Sequence, residues 1–165
     1  MAIISTDIVY RLSGGAANSD PNASLGGAKS STVAGTNIFD DVSSAEATAG
    51  DIEYRCVYVH NGHATLTYLG SKIWIQANTP STSTDIFVGL GTAGLNATEQ
   101  TIANEQTAPV GVTFSNAAVD FSTGLSIGDI PAGQHFSVWV RRNVTAGAAG
   151  AADSFTLRIQ GDTNP

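Results

Sequence analysis

The chain has 165 residues and a mass of 16.9 kDa, room for one domain with its own core and little more. Seven Lys and Arg against 14 Asp and Glu leave a net charge of -7 and a pI near 4.6, a balance that repels phosphate backbones and speaks against direct DNA or RNA binding. Charged residues make up 13% and glycine reaches 18 copies, so short strands joined by many turns are expected in place of helices held by charge pairs.

Cys56 is the single cysteine, which excludes an internal disulfide; its place in the middle of an apolar run suits a small buried thiol. The start, Met1 to Asp7, lacks a basic opening and an apolar run of the roughly 7–15 residues that a secretory signal needs. No stretch approaches the roughly 20 apolar residues needed to cross a bilayer. Synthesis in the cytoplasm with no membrane contact is therefore expected.

Residues 3–12 alternate loosely, with Ile4, Ile8, Tyr10 and Leu12 on one side, and read as a first strand or extended arm. Residues 13–35 carry only two larger apolar side chains, Leu25 and Val33, too little to offset their own ordering entropy. The division expected is an N-terminal arm over 1–35, ordered only against its own sheet or a neighbouring subunit, and a β-domain over 36–165. Ser43 to Gly50 reads as one helical turn or a loop. Asp51 to His60 places Ile52, Tyr54, Cys56 and Tyr58 against Glu53, Arg55, Val57 and Val59, apolar on both faces as in a central strand. Asn61-Gly62 signals a two-residue turn, after which Ala64 to Asn78 should return antiparallel with a break at Gly70-Ser71.

Asp85 to Leu90 is the next strand. Residues 91–108 read as a polar connection with a helical turn near 97–104, Pro109 to Ser115 as a strand, and 124–130 as a short turn-like piece. A Pro131-Ala132-Gly133 turn then feeds a long alternating strand. Phe136, Val138, Val140 and Val144 point one way; His135, Ser137, Trp139 and Arg141 point to a face expected to be wet. Ser154 to Gln160 closes the chain. Seven or eight such strands suit an all-β, two-sheet antiparallel sandwich of jelly-roll or immunoglobulin-like type, with a closed barrel as the alternative.

Three motifs invite chemistry. Gly89-Leu90-Gly91-Thr92-Ala93-Gly94 has the dinucleotide-binding spacing, but no helix or repeated strand-helix-strand unit follows it. Gly124-Leu125-Ser126-Ile127-Gly128 has the spacing of a nucleophile elbow, but Pro131 and Gly133 leave no room for the helix that must carry the serine. His60 and His63 flank a turn without a third ligand, and Asp40, Asp41, Asp51 and Glu53 lack the spaced oxygens of a dedicated calcium loop. No catalytic residue, metal or cofactor is expected. Trp74 and Trp139 fall on the polar side of their strands, beside Lys72 and Gln76 or His135 and Arg141, where a ring can anchor a protein interface, stack on a sugar, or lie under the 13–35 arm or a loop, unless inside and outside are inverted.

The phrases Arg11-Leu12-Ser13-Gly14-Gly15-Ala16, Asn18 to Gly27, Phe39-Asp40-Asp41-Val42, Gly50 to Cys56 and Ile130-Pro131-Ala132-Gly133-Gln134 extend over most of the chain. In these it resembles a family of small structural proteins of tailed bacteriophages. The resemblance implies a virion component without enzymatic activity, most simply a capsid decoration or cement protein that binds the major capsid protein or another virion protein. It further implies a homo-oligomer, a trimer included, with residues 1–35 ordered across the shell or a neighbour. The contact set expected is Arg11, Leu12 and Leu25 from the arm and Trp74, Trp139 and Arg141 from the strands. A neck, tail or baseplate component is the nearest alternative, and a carbohydrate-binding module using Trp74 or Trp139 is the alternative from another class.

Overall fold

A computed structural model describes residues 2–147 and 153–163 of the chain. The described residues are mostly β, with ten strands, one short α-helix and a single 3-10 turn at Pro21–Ala23: β1 Ile8–Leu12, β2 Gly26–Gly27, α1 Ser44–Ala49, β3 Asp51–Asn61, β4 Tyr68–Ala77, β5 Thr84–Leu90, β6 Glu99–Thr101, β7 Phe114–Ser115, β8 Leu125–Ile130, β9 His135–Val144 and β10 Thr156–Thr163. All pairings are antiparallel. They make a large sheet of order β1-β3-β9-β5-β7, a small sheet of order β10-β4-β8, and a two-strand ladder β2-β6. Among the described residues no sheet closes into a barrel.

The long pair β3 and β9 runs in register from Asp51 opposite Val144 to His60 opposite His135. Because side chains alternate across a strand, one face of this pair presents Val57, Val59, Val138 and Val140. These pack with Ile73 and Ile75 of β4 and Ile130 of β8 in the main core. The other face presents Tyr54, Cys56 and Trp139, which pack with Ile102 and, half-buried, Leu25, Val112 and Phe114. The face expected to be wet is therefore covered, and Trp139 is 0% exposed.

The cover is the segment expected to order only against its own sheet or a neighbouring subunit, together with residues 91–114. Residues 13–35 do bury little apolar surface; polar bonds hold them instead. Cys56 N–H donates to Ser24 O at 2.8 Å, Ile102 N–H to Leu25 O at 3.0 Å, and Tyr54 N–H to Glu105 O at 2.8 Å. Ser13, Ser24 and Ser30 are wholly buried, and the Asn18 amide donates to Ser13 O and Asp20 O. Beyond β1 the chain adds a further rung, as Leu12 N–H meets Thr32 O and Ala34 N–H meets Tyr10 O. Residues 13–34 are thus ordered against their own chain.

Four local expectations are corrected. Asn61-Gly62 makes no hairpin, because β3 is already flanked by β1 and β9 and β4 can pair only in the small sheet. Asn61 instead fastens the corner between the sheets, its amide donating to Leu66 O and Ile130 O at 2.9 Å each. The helical turn near 97–104 is replaced by β6, only Phe114–Ser115 of the expected strand 109–115 pairs, and the turn-like piece 124–130 is the full strand β8. In the small sheet Trp74 does face away from the large sheet. It is nevertheless 5% exposed, because the loop carrying Phe121 closes over it, with ring centroids 6.0 Å apart.

The ladder β2-β6 requires glycine at 26. Its φ is +91°, and a Cβ there would lie 1.8 Å from Gln100 O. Gly26→Ala is expected to cost ~3 kcal/mol in chemical denaturation by overpacking. Gly15→Ala has φ +110° but open space around it, and should cost only the backbone strain of about 1 kcal/mol.

Candidate functional site

Between the large and small sheets, at the side closed by residues 34–42, lies a cavity of about 840 Å³. Its floor is Val57, Ile86 and Val144, its opposite wall Phe155 and Leu157 at the β10 edge, and its side Ile38 and Phe39. The Tyr10 hydroxyl lines it without a hydrogen-bond partner among the described residues, and burial drives its pKa far above the ordinary value. The lining is predominantly apolar, with Asp40, Asp41 and Asp153 among its charged members.

A charged network adjoins the cavity at the ends of β3 and β9. Glu53 and Arg142 face each other across the ladder, and the Arg142 Nε–Glu53 Oε2 distance is 2.5 Å. Arg142 also donates to Asp40 O at 2.6 Å. Arg55, wholly buried, donates to Glu105 Oε2 at 2.5 Å and to Asn22 Oδ1 at 3.1 Å. The Phe39 ring sits 5.4 Å from the Arg55 guanidinium carbon and 4.8 Å from that of Arg142. Burial pushes the Glu53 carboxyl upward against the opposing pull of Arg142. Its Oε1 is buried with no donor.

Two carboxylate triplets meet here. One oxygen from each of Asp40, Glu53 and Glu105, and likewise from each of Glu46, Asp51 and Glu53, lie within 4.8 Å of one another. The first triplet is threaded by Arg55 and Arg142 and reads as an ion-pair network. Among the described residues the second touches a guanidinium only through Glu53. Asp40, Asp41, Asp51 and Glu53 were the acids weighed from sequence, and the structure gathers three of them while leaving Asp41 outside. Glu46 and Glu105 were missed. Glu46 carried a signal, since Ser43 and Glu46 form a capping box at α1; Glu105 sits in a polar connection that gives none.

A second polar cluster lies under the cover of the large sheet. Ser137 donates to Glu99 Oε2 at 2.6 Å, Ala93 N–H donates to the same oxygen at 3.1 Å, and Glu99 N–H donates to the Tyr58 hydroxyl oxygen at 2.9 Å. Burial raises the Glu99 pKa, but the bonds from Ser137, Ala93, Thr92 and Gln100 outweigh it and the net shift is downward. No helix opens after Gly94, and the glycine-rich loop spends an amide on Glu99. Ser126 lies exposed on β8, with no helix behind it. His63 Nδ1 accepts from Thr65 and Leu66 N–H, while Cys56 is fully buried with its thiol pKa pushed up.

Of the six expected contact residues, Leu12, Trp74 and Trp139 are buried and Arg11, Leu25 and Arg141 keep part of their surface in solvent. Leu25 packs half-buried in the Trp139 cluster. Arg11 donates to Ser31 O, and the Arg141 guanidinium stacks 3.7 Å from the Phe87 ring centroid and 5.3 Å from that of Phe114. Neither tryptophan presents a ring to a sugar.

The chain matches no family model, no curated protein and no solved structure.

His60 and His135 stand directly opposite on β3 and β9, close to Lys29, with the His135 ring edge-on to Tyr58 at 4.9 Å. Burial, then the charges of Lys29 and His60, lower the His135 pKa from 6.5 to about 4. The unfolded chain therefore holds this proton more tightly than the folded one. The contribution of neutral His135 to stability is full above pH 6.5 and is lost as pH falls through about 4. His135→Gln should lose less melting temperature between neutral pH and the acid end of this window than the unaltered chain does; equal losses would contradict the assignment.

Proposed function

We propose that this chain is a structural component of a tailed-phage virion, most specifically a capsid decoration protein that stabilises the assembled head by binding it. What carries the reading is the set of phrases it has in common with that family. Two of them, Arg11 to Ala16 and Asn18 to Gly27, build the cover over the large sheet; Gly50 to Cys56 forms the first half of β3, and Ile130 to Gln134 the turn into β9. These are fastening positions. We take the finer architecture to be a two-sheet sandwich of jelly-roll or immunoglobulin-like type, since the large and small sheets have one apolar core in common.

With Leu12, Trp74 and Trp139 buried and Arg11, Leu25 and Arg141 only partly exposed, the binding surface is assigned to apolar side chains on the outside of the cover. Val110 is 80% exposed, Val33 52% and Leu95 43%, and all three lie in the two segments that lie over or flank the large sheet. Many copies of an acidic protein stay apart in solution and settle on a repeated surface by mass action. The stabilisation then grows with the logarithm of free concentration over the dissociation constant. No reaction is involved.

Sedimentation of purified heads with the protein should show saturable binding at a copy number set by shell symmetry, and a rise in the temperature at which heads disrupt. The double variant Val110→Asp, Leu95→Asp should keep its fold and bind at least tenfold more weakly. Absence of wild-type binding to heads would overturn the decoration role, and binding to isolated necks, tails or baseplates in its place would assign the protein there.

A further inference from the structure

We propose that Glu46, Asp51 and Glu53 form a binding site for one hard divalent cation, of which calcium is the best-fitting class. Glu53 is the member of the triplet with a buried oxygen that lacks a partner. Its side chain is 1% exposed, Oε2 is taken by Arg142, and Oε1 is buried with no donor among the described residues. A buried anionic oxygen left without a partner costs far more than the net gain of an ordinary hydrogen bond, so such an atom calls for a counter-charge. No arginine or lysine supplies one to the other two acids of this triplet among the described residues. The two available guanidiniums are committed to Asp40, Glu53 and Glu105.

Geometry selects the kind of partner. One oxygen from each of the three carboxylates lies within 4.8 Å of the others, about the span of two oxygens on opposite sides of an ion held at roughly 2.3–2.6 Å. Glu46 Oε2 accepts from Ser43 N–H, Asp51 Oδ1 from Ile52 N–H and Asp51 Oδ2 from Gln106 Nε2. Each carboxylate keeps lone pairs beyond these bonds. An all-oxygen, flexible, partly solvated set with water completing the shell suits calcium. Magnesium demands a tighter octahedron and gives up its water reluctantly, so it should bind more weakly.

The ligands join two elements. Glu46 belongs to α1 and Asp51 and Glu53 to β3, with Gly50 turning the chain between them at φ +79°. A bound ion would clamp the helix to the start of the central strand, next to the segment that closes the cavity.

The test uses the full chain freed of metal with EDTA and titrated with calcium chloride or magnesium chloride, read by calorimetry and by thermal melting. One calcium per chain is expected, with a melting temperature that climbs with the logarithm of calcium concentration and a smaller response to magnesium. Asp51→Asn should weaken binding at least tenfold. Asp41→Asn, an exposed acid outside the triplet, should leave it unchanged. Both variants must melt with the unaltered chain in EDTA; if Asp51→Asn does not, Glu46→Gln is read in the same way. No heat and no melting shift up to about 10 mM calcium, tenfold above the roughly 1 mM weak end of protein calcium sites, would overturn the site, as would calcium binding that survives Asp51→Asn and Glu46→Gln.

Discussion

The pairing of β3 with β9 is the constraint from which the rest follows. Ten consecutive register positions tie the two strands, and apolar or aromatic side chains project from both faces of the pair. A sheet that is apolar on both sides must be covered twice. The small sheet meets one need. The other is met by two stretches with little regular structure, residues 13–34 and 91–114, held down by backbone bonds to the free edge of β3 at Tyr54 and Cys56. Trp139 and Cys56 are buried because those bonds exist.

The same pair explains where charge collects. Glu53, Arg55 and Arg142 sit where β3 and β9 approach the side closed by 34–42, so their head groups are drawn out of water by the packing of Phe39 and the cover. Buried charges persist only when partnered. Asp40 and Glu105 arrive from segments remote in sequence to partner the arginines, and Glu53 is left half-served. The acid surplus seen in the composition thus has a local counterpart at the start of β3, beside the cavity between the sheets.

The strands β3, β5 and β9 were legible because their alternation is strong and long, and burial of Cys56 followed from its place in such a run. The Asn61-Gly62 hairpin misled, because turn chemistry reports a bend but not which sheet receives the next strand. Which of its two expected supports the 13–35 segment would take was illegible for a different reason. Residues 13–35 lack the apolar side chains that periodicity detects, and their order comes from Ser13, Ser24, Ser30, Asn18 and main-chain groups, whose partners lie 5, 12 or 13 residues away within the segment and follow no period. Reading that segment as an arm made the opposite face of β9 look wet and turned Trp139 outward. Trp74 was assigned to the correct side of β4, but nothing local announced that Phe121 would fold over it. Of the acidic site, Asp51 and Glu53 were visible as neighbours on one strand; Glu46 was reachable through its cap, and Glu105 was not.

A chain that spends residues 13–34 on its own sheet keeps few loose parts, at the expense of a long reach toward neighbours. The claim on which the account rests is that residues 13–34 and 91–114 belong to the folded unit. Native-state hydrogen exchange followed residue by residue tests it most directly, through the amides of Cys56 and Ile102, which donate to Ser24 and Leu25 in the cover. The account predicts that both exchange only with global unfolding, at the rate of Val57 and Val140 amides in the main ladder. Exchange orders of magnitude faster at Cys56 and Ile102, with β3 and β9 otherwise protected, would show the cover lifting independently and would contradict it.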